Sequence, residues 1–143
     1  MNEHANSRNP KHVLFSLKLA AIMIGSALLL TLARKQGWVD ADQVVRGYNV
    51  VMGLALAAYG NVMPKMIHPT PPRSIHDATL AQAIARVSGW SMTLAFLVWA
   101  ALWAFAPLDV ARIGALAAVG TSVVVMLGYI AWRSVARRGK GQR

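Results

Sequence analysis

The sequence predicts an all-α chain, an integral membrane four-helix bundle with both termini cytoplasmic. Hydrophobic residues make up 56% of the 143 and the mean hydropathy is +0.43, more apolar surface than a soluble domain of this size buries. Those residues gather into four runs, about 13–33, 45–63, 87–106 and 113–132, each close to the roughly 20 helical residues that cross a bilayer's hydrocarbon core. The 15 Lys and Arg, set against 5 Asp and Glu, stand mostly at the borders of the runs, where cations set orientation and meet headgroups. The net charge of +10 would suggest nucleic acid in a soluble domain, but at these positions no direct nucleic-acid binding is expected. The absence of Cys excludes disulfides, thiolate metal sites and a Cys nucleophile.

The first run, Val13 to Ala33, is interrupted only by Lys18, which is near enough to the N-terminal border to snorkel to headgroups. It has the outline of a secretory signal, and Thr31-Leu32-Ala33 faintly resembles a cleavage site, but it reads as an uncleaved anchor. Trp38 to Val44 is a short polar link with an interfacial Trp. The second run, 45–63, is expected to end at Pro64, which lacks a backbone donor and disfavours helix in Met63. A connector over 64–86 follows, extended at Pro69, Pro71 and Pro72. Ser74-Ile75-His76-Asp77 then reads as a capping box. Whether 78–86 forms a separate cap helix or extends the third run stays open. The third run ends at Pro107, and a tight link over 108–111 makes the last two helices antiparallel neighbours. Residues 133–143 form a basic tail.

Four spans place the termini and the connector on one side. That side carries Arg8, Lys11, Lys18, Lys65, Arg73, Arg86, Arg133, Arg137, Arg138, Lys140 and Arg143; the other carries Arg34, Lys35, Arg46 and Arg112. Eleven against four in short loops predicts that the termini and connector are cytoplasmic.

Asn49, Gly53, Ala57 and Asn61 recur at i, i+4 and line one stripe of the second helix. The stripe is expected to face protein, either as packing and interhelical amide bonding or as the wall of a polar path. Phe96, Trp99 and Trp103 form an aromatic stripe on the third helix, read as packing and headgroup anchoring. Gly114, Ala118 and Thr121 form a small face on the fourth. His68, His76 and Asp77 share the connector, but their spacing matches no finger-type or helix-borne metal pattern. No nucleophile elbow, phosphate-cradling glycine loop or paired carboxylates appear, so neither an enzyme nor a cofactor is expected.

One local pattern is more specific. Gly60-Asn61-Val62-Met63-Pro64-Lys65, followed after the connector by Arg86-Val87-Ser88-Gly89, resembles the signature of the SdpI family of bacterial membrane proteins, over roughly 47–90. The resemblance implies a protein of the bacterial inner membrane that works by binding, in toxin immunity and signalling, by capturing a soluble cytoplasmic regulator at the connector. The residues it points to are Asn61, Pro64, Lys65, Arg73, His76, Asp77 and Arg86. Two other readings fit the same chain: an accessory subunit, packing against membrane subunits or a second copy, and a small transporter with the Asn49 to Asn61 stripe along its path.

Overall fold

Long apolar runs with few helix breakers favour helices as the local solution, and the computed structural model contains four among its described residues. It describes residues 10–66 and 75–140, with side chains over 13–62 and 81–135. The helices are α1 (Pro10–Lys35), α2 (Ala41–Met66), α3 (Ile75–Phe105) and α4 (Leu108–Lys140).

The turn between α1 and α2 is built from hydrogen bonds. Gly37, at φ +74°, enters the left-handed region open to a residue without Cβ. That lets the Gly37 N–H donate to Arg34 O and the Trp38 N–H to Ala33 O, both at 3.0 Å, which closes α1 with a Schellman motif. Asp40 then opens α2: its N–H donates to Gln43 Oε1 at 3.0 Å, half of a capping box, and its carbonyl accepts from Val44.

The boundaries differ from the expected ones in three places. α2 runs to Met66 rather than ending at Pro64; the proline leaves the Gly60 carbonyl without its N–H donor and crowds it, a cost met in the last turn, where Lys65 and Met66 complete the helix. α3 begins at Ile75 and is unbroken to Phe105, so 78–86 extends the third span. That stretch is rich in Ala, with Leu, Gln and Ile and no Gly or Pro to stop the helix. The interval between α2 and α3 is therefore 67–74 rather than 64–86. α4 begins at Leu108, directly after Pro107, and continues through most of the basic tail to Lys140.

The helices pair only in chain order, α1 with α2, α2 with α3 and α3 with α4. This corrects the expectation of a four-helix bundle: among the described residues α1 and α4 do not meet, and the arrangement is an open row. Every pairing is antiparallel. A Cβ on Gly47 would lie 3.3 Å from Leu30, one on Gly53 3.0 Å from Ala100, one on Gly60 3.2 Å from the Thr93 nitrogen, and one on Gly114 2.9 Å from Leu102. Gly53 and Gly60 are seven residues apart, as are Ala100 and Thr93, so α2 and α3 keep one register over two turns.

Three of the four helices are long and apolar enough to cross a membrane, over Val13–Lys35, Ala81–Phe105 and Leu108–Val135. Helix α2 is long enough but more polar, since it carries Arg46, Asn49 and Asn61. The core is correspondingly small, formed by Trp103 with Ala111 and Ala115, and flanked by Val50, Trp99 and Leu102.

The tight α2–α3 contact generates a paired prediction. Gly53→Val drives two methyl groups into Ala100 and Trp99 and should cost about 2 kcal/mol. Gly120→Val, where a Cβ meets nothing within 4 Å, should cost nothing measurable. Thermal melts of both variants in mild detergent check this.

Candidate functional site

The polar stripe of α2 is built on helical spacing, and the structure divides it into two parts. Gly53 and Ala57 are buried against α3, as is Gly60, which the stripe did not include. With α3 backbone 3.1 Å from a Cβ at Gly53, this middle section is helix contact and leaves no room for a polar path. The amides behave differently from expectation. Asn49 Nδ2 donates to Val45 O of its own helix at 2.8 Å, so it spends a donor locally instead of bonding across. Asn61 is exposed at the end of α2. In this middle section an interhelical polar contact comes from α3, where the Thr93 hydroxyl donates to Gly89 O at 2.7 Å and reaches Ala57 O at 3.4 Å.

The residues singled out on the connector side do not all fall within the described structure. Arg73 and His68 lie outside the described residues. Pro64 and Lys65 stand in the last turn of α2, and His76 and Asp77 in the first turn of α3. Arg86 is exposed on α3. By the register that sets Gly60 against Thr93, Arg86 is about level with the end of α2, so the antiparallel pairing brings Lys65 and Arg86 to one end of the molecule. Among the described residues no three His, Cys, Asp or Glu side chains come together.

The aromatic stripe of α3 points inward more than expected. Trp103 is 6% exposed and Trp99 half-buried, while Phe105 at the far end is 89% exposed. The indole N–H groups of Trp99 and Trp103 are buried with no acceptor among the described residues, and an unmade hydrogen bond costs about 1–3 kcal/mol. The buried face of α4 is Ala111, Ala115 and Ser122. Gly114 does touch α3, but Thr121 is exposed and donates to Ala117 O on its own helix at 2.8 Å. Thr121 and Ser122 are neighbours in sequence about 100° apart around the helix, so a shift of one residue moved the expected face.

Arg46 was read from sequence only as a border charge. Its Nη1 donates to Ala106 O at 2.8 Å and Trp103 O at 3.3 Å, across from α2 to the end of α3. The carbonyl of Trp103 would ordinarily accept from residue 107, but Pro107 has no N–H. The guanidinium supplies the missing donor and places a positive charge at the negative end of the α3 dipole. The signal for it was present in the sequence: an arginine inside a polar span together with a proline that orphans a carbonyl.

Between α1 and Tyr48 of α2 lies an open apolar groove of about 430 Å³, floored by Ala20, Met23, Ala27 and Thr31. The Thr31 hydroxyl is engaged by Ala27 O at 2.7 Å, so the groove offers shape and apolar surface with little chemistry.

Removing the cap tests its weight. Arg46→Ala leaves the Trp103 and Ala106 carbonyls without their side-chain donor and should cost about 2 kcal/mol, while Arg46→Lys should recover part of it. A melting point unchanged in Arg46→Ala would show that the contact carries no stability.

Comparison with known proteins finds no matching family model, no matching curated protein and no matching solved structure.

Proposed function

We propose that this chain is a multi-pass protein of the bacterial inner membrane that works by binding, in the manner the SdpI-like motif implies. In this reading it captures a soluble regulator at the face where α2 ends and α3 begins, with toxin immunity or envelope signalling as the outcome. The observation that carries it is the extension of two helices beyond their apolar stretches at one end. Helix α3 starts at Ile75 while its apolar run opens at about Val87, and α4 continues to Lys140 beyond the run that ends at Trp132. Both extensions stand on the side of Lys65 and Arg86, so helix bearing Arg86 and Arg133 continues where a soluble partner would approach.

The reading requires α2 to cross the bilayer despite its polarity. Support comes from the pairing: α2 lies antiparallel to α1 and α3 and joins the end of one to the start of the other. If those two cross, the path between them crosses as well. Its glycines and alanines are sheltered against α3, and Arg46 is neutralised in part by the carbonyls it caps. The excess of basic residues on the connector side then favours cytoplasmic termini.

Because the chain has no Cys, single introduced cysteines report topology cleanly. Asp42→Cys should react with a membrane-impermeant thiol reagent from outside the cell, and Arg73→Cys only after lysis. Reaction of both from one side would mean that α2 does not cross. A photo-crosslinker at Arg73 in native cells should capture a soluble DNA-binding regulator, and replacing Lys65 and Arg86 together should abolish that capture while leaving insertion intact. Unchanged capture in the double variant would sink the proposed face.

One observation favours a second reading, an accessory subunit. The apolar stretch of α1 has none of its residues buried, and α1 and α4 are both unpaired edges of the row. Migration with a large assembly in mild detergent would support this reading, and migration as a monomer or dimer would count against it.

A further inference from the structure

The last turns of α4 carry side chains that the packing of the row does not use. Tyr129, Trp132 and Arg133 stand at i, i+3 and i+4 and so share one face of the helix. The two rings have centroids 6.1 Å apart. The Arg133 guanidinium carbon lies 5.5 Å from the Tyr129 centroid and 5.7 Å from that of Trp132, within cation–π range of both. Its Nε–H donates to the Tyr129 hydroxyl at 3.2 Å.

These contacts orient the guanidinium before any ligand arrives. With Nε engaged by Tyr129, the edge that remains is the pair of terminal nitrogens, whose N–H groups match two oxygens of a phosphate. The Tyr129 hydroxyl, accepting from Arg133, still has its own proton to donate. The depth of the group is set by α4 itself, whose apolar run over 113–132 ends at Trp132, so that Arg133 is the first cation beyond it. A helix of 33 residues is about 50 Å long at 1.5 Å per residue, longer than the roughly 30 Å hydrocarbon core. Trp132 is exposed, as are Arg86 and Trp90 of α3. The register of Gly114 against Leu102 sets Arg86 level with Ile130. No Asp or Glu follows Asp109 in the sequence.

We propose that Tyr129, Trp132 and Arg133 form a binding site for the phosphate of an anionic phospholipid headgroup at the end of α4. The two terminal guanidinium nitrogens hold two phosphate oxygens, the Tyr129 hydroxyl donates to a third, and Trp132 packs beside the glycerol. The site discriminates by charge. It offers cations and donors, and among the described residues no carboxylate stands beside it for a choline or ethanolamine ammonium. The inference rests on the reading that α4 crosses the bilayer.

The test is native mass spectrometry of the full chain in mild detergent, titrated with phosphatidylglycerol or phosphatidylcholine, beside flotation with neutral vesicles to report insertion. The wild type should retain phosphatidylglycerol about fivefold better, the worth of one well-placed cation at a lipid surface. Arg133→Gln should remove the preference. Arg133→Lys, which keeps the charge but loses the fork and the bond to Tyr129, should retain only part of it. Arg112→Gln, at the other end of α4, should leave it unchanged. Equal retention of the two lipids by the wild type, an unaltered preference in Arg133→Gln, or Arg133→Lys indistinguishable from wild type would each overturn the site while insertion stands. Displacement of the lipid by millimolar inorganic phosphate would mean a free-anion site and overturn the lipid assignment. Failure to float with neutral vesicles would overturn the membrane reading and the site with it.

Discussion

Helices in hydrocarbon gain nothing from hiding apolar surface from lipid, so their association depends on how closely backbones approach and on the few polar bonds they make. In this chain that condition is met most closely between α2 and α3. Gly53 and Gly60 stand on one face of α2, two turns apart, and each lies against α3 so closely that even a Cβ would require the facing atoms to give way. The approach brings Thr93 within reach of the α2 backbone and brings Arg46 to the carbonyls at the end of α3. Helix α4 then packs on the far side of α3 through Ala111 and Ala115, with Trp103 filling the space between. The α2–α3 seam is thus the contact on which the placement of the other groups depends.

The same seam explains how a polar helix is held among apolar ones. Two polar groups on α2 are answered locally or by α3: Asn49 by its own Val45 carbonyl, and Arg46 by carbonyls at the end of α3, one of them left open by Pro107. What the seam does not provide is closure. The row has two edges, and α1 gives its neighbour α2 only the shallow contact around Gly47 and the groove beside Tyr48. The two edge helices expose apolar side chains, among them Leu28 and Leu29 of α1 and Val124 and Leu127 of α4, so the row leaves apolar surface uncovered.

The four helices were legible because their apolar runs are long and bounded by charges, and because Pro107 and the Ser74 to Asp77 pattern mark ends. The inward face of α2 was legible at Gly53 and Ala57 from i, i+4 spacing alone. Closure was not legible, since short loops require only that sequence neighbours pair and say nothing about whether the first and last helices meet. The local bond of Asn49 was not legible, because a side-chain amide on a helix has an acceptor one turn back, which competes with any partner across the interface. Arg46 was hidden by the charge count, which treats every border cation alike. The motif residues near the connector were legible as a pattern, and the structure adds that Lys65 and Arg86 share one end of the molecule.

The central claim is that α1 to α4 stand as an open row with the α2–α3 seam inside it. Ile24, Gly53, Ala100 and Leu116 lie at one level by the registers of the three pairings, and Ile24 and Leu116 are exposed on the two edge helices. Spin labels on Ile24→Cys and Leu116→Cys in a chain without other cysteines allow a pulsed dipolar distance measurement in lipid nanodiscs. Neighbouring helices pack about 8–10 Å apart, so the row predicts a separation of roughly 25–30 Å. A single narrow distribution near roughly 10–15 Å would mean that α1 and α4 meet, and would contradict the account.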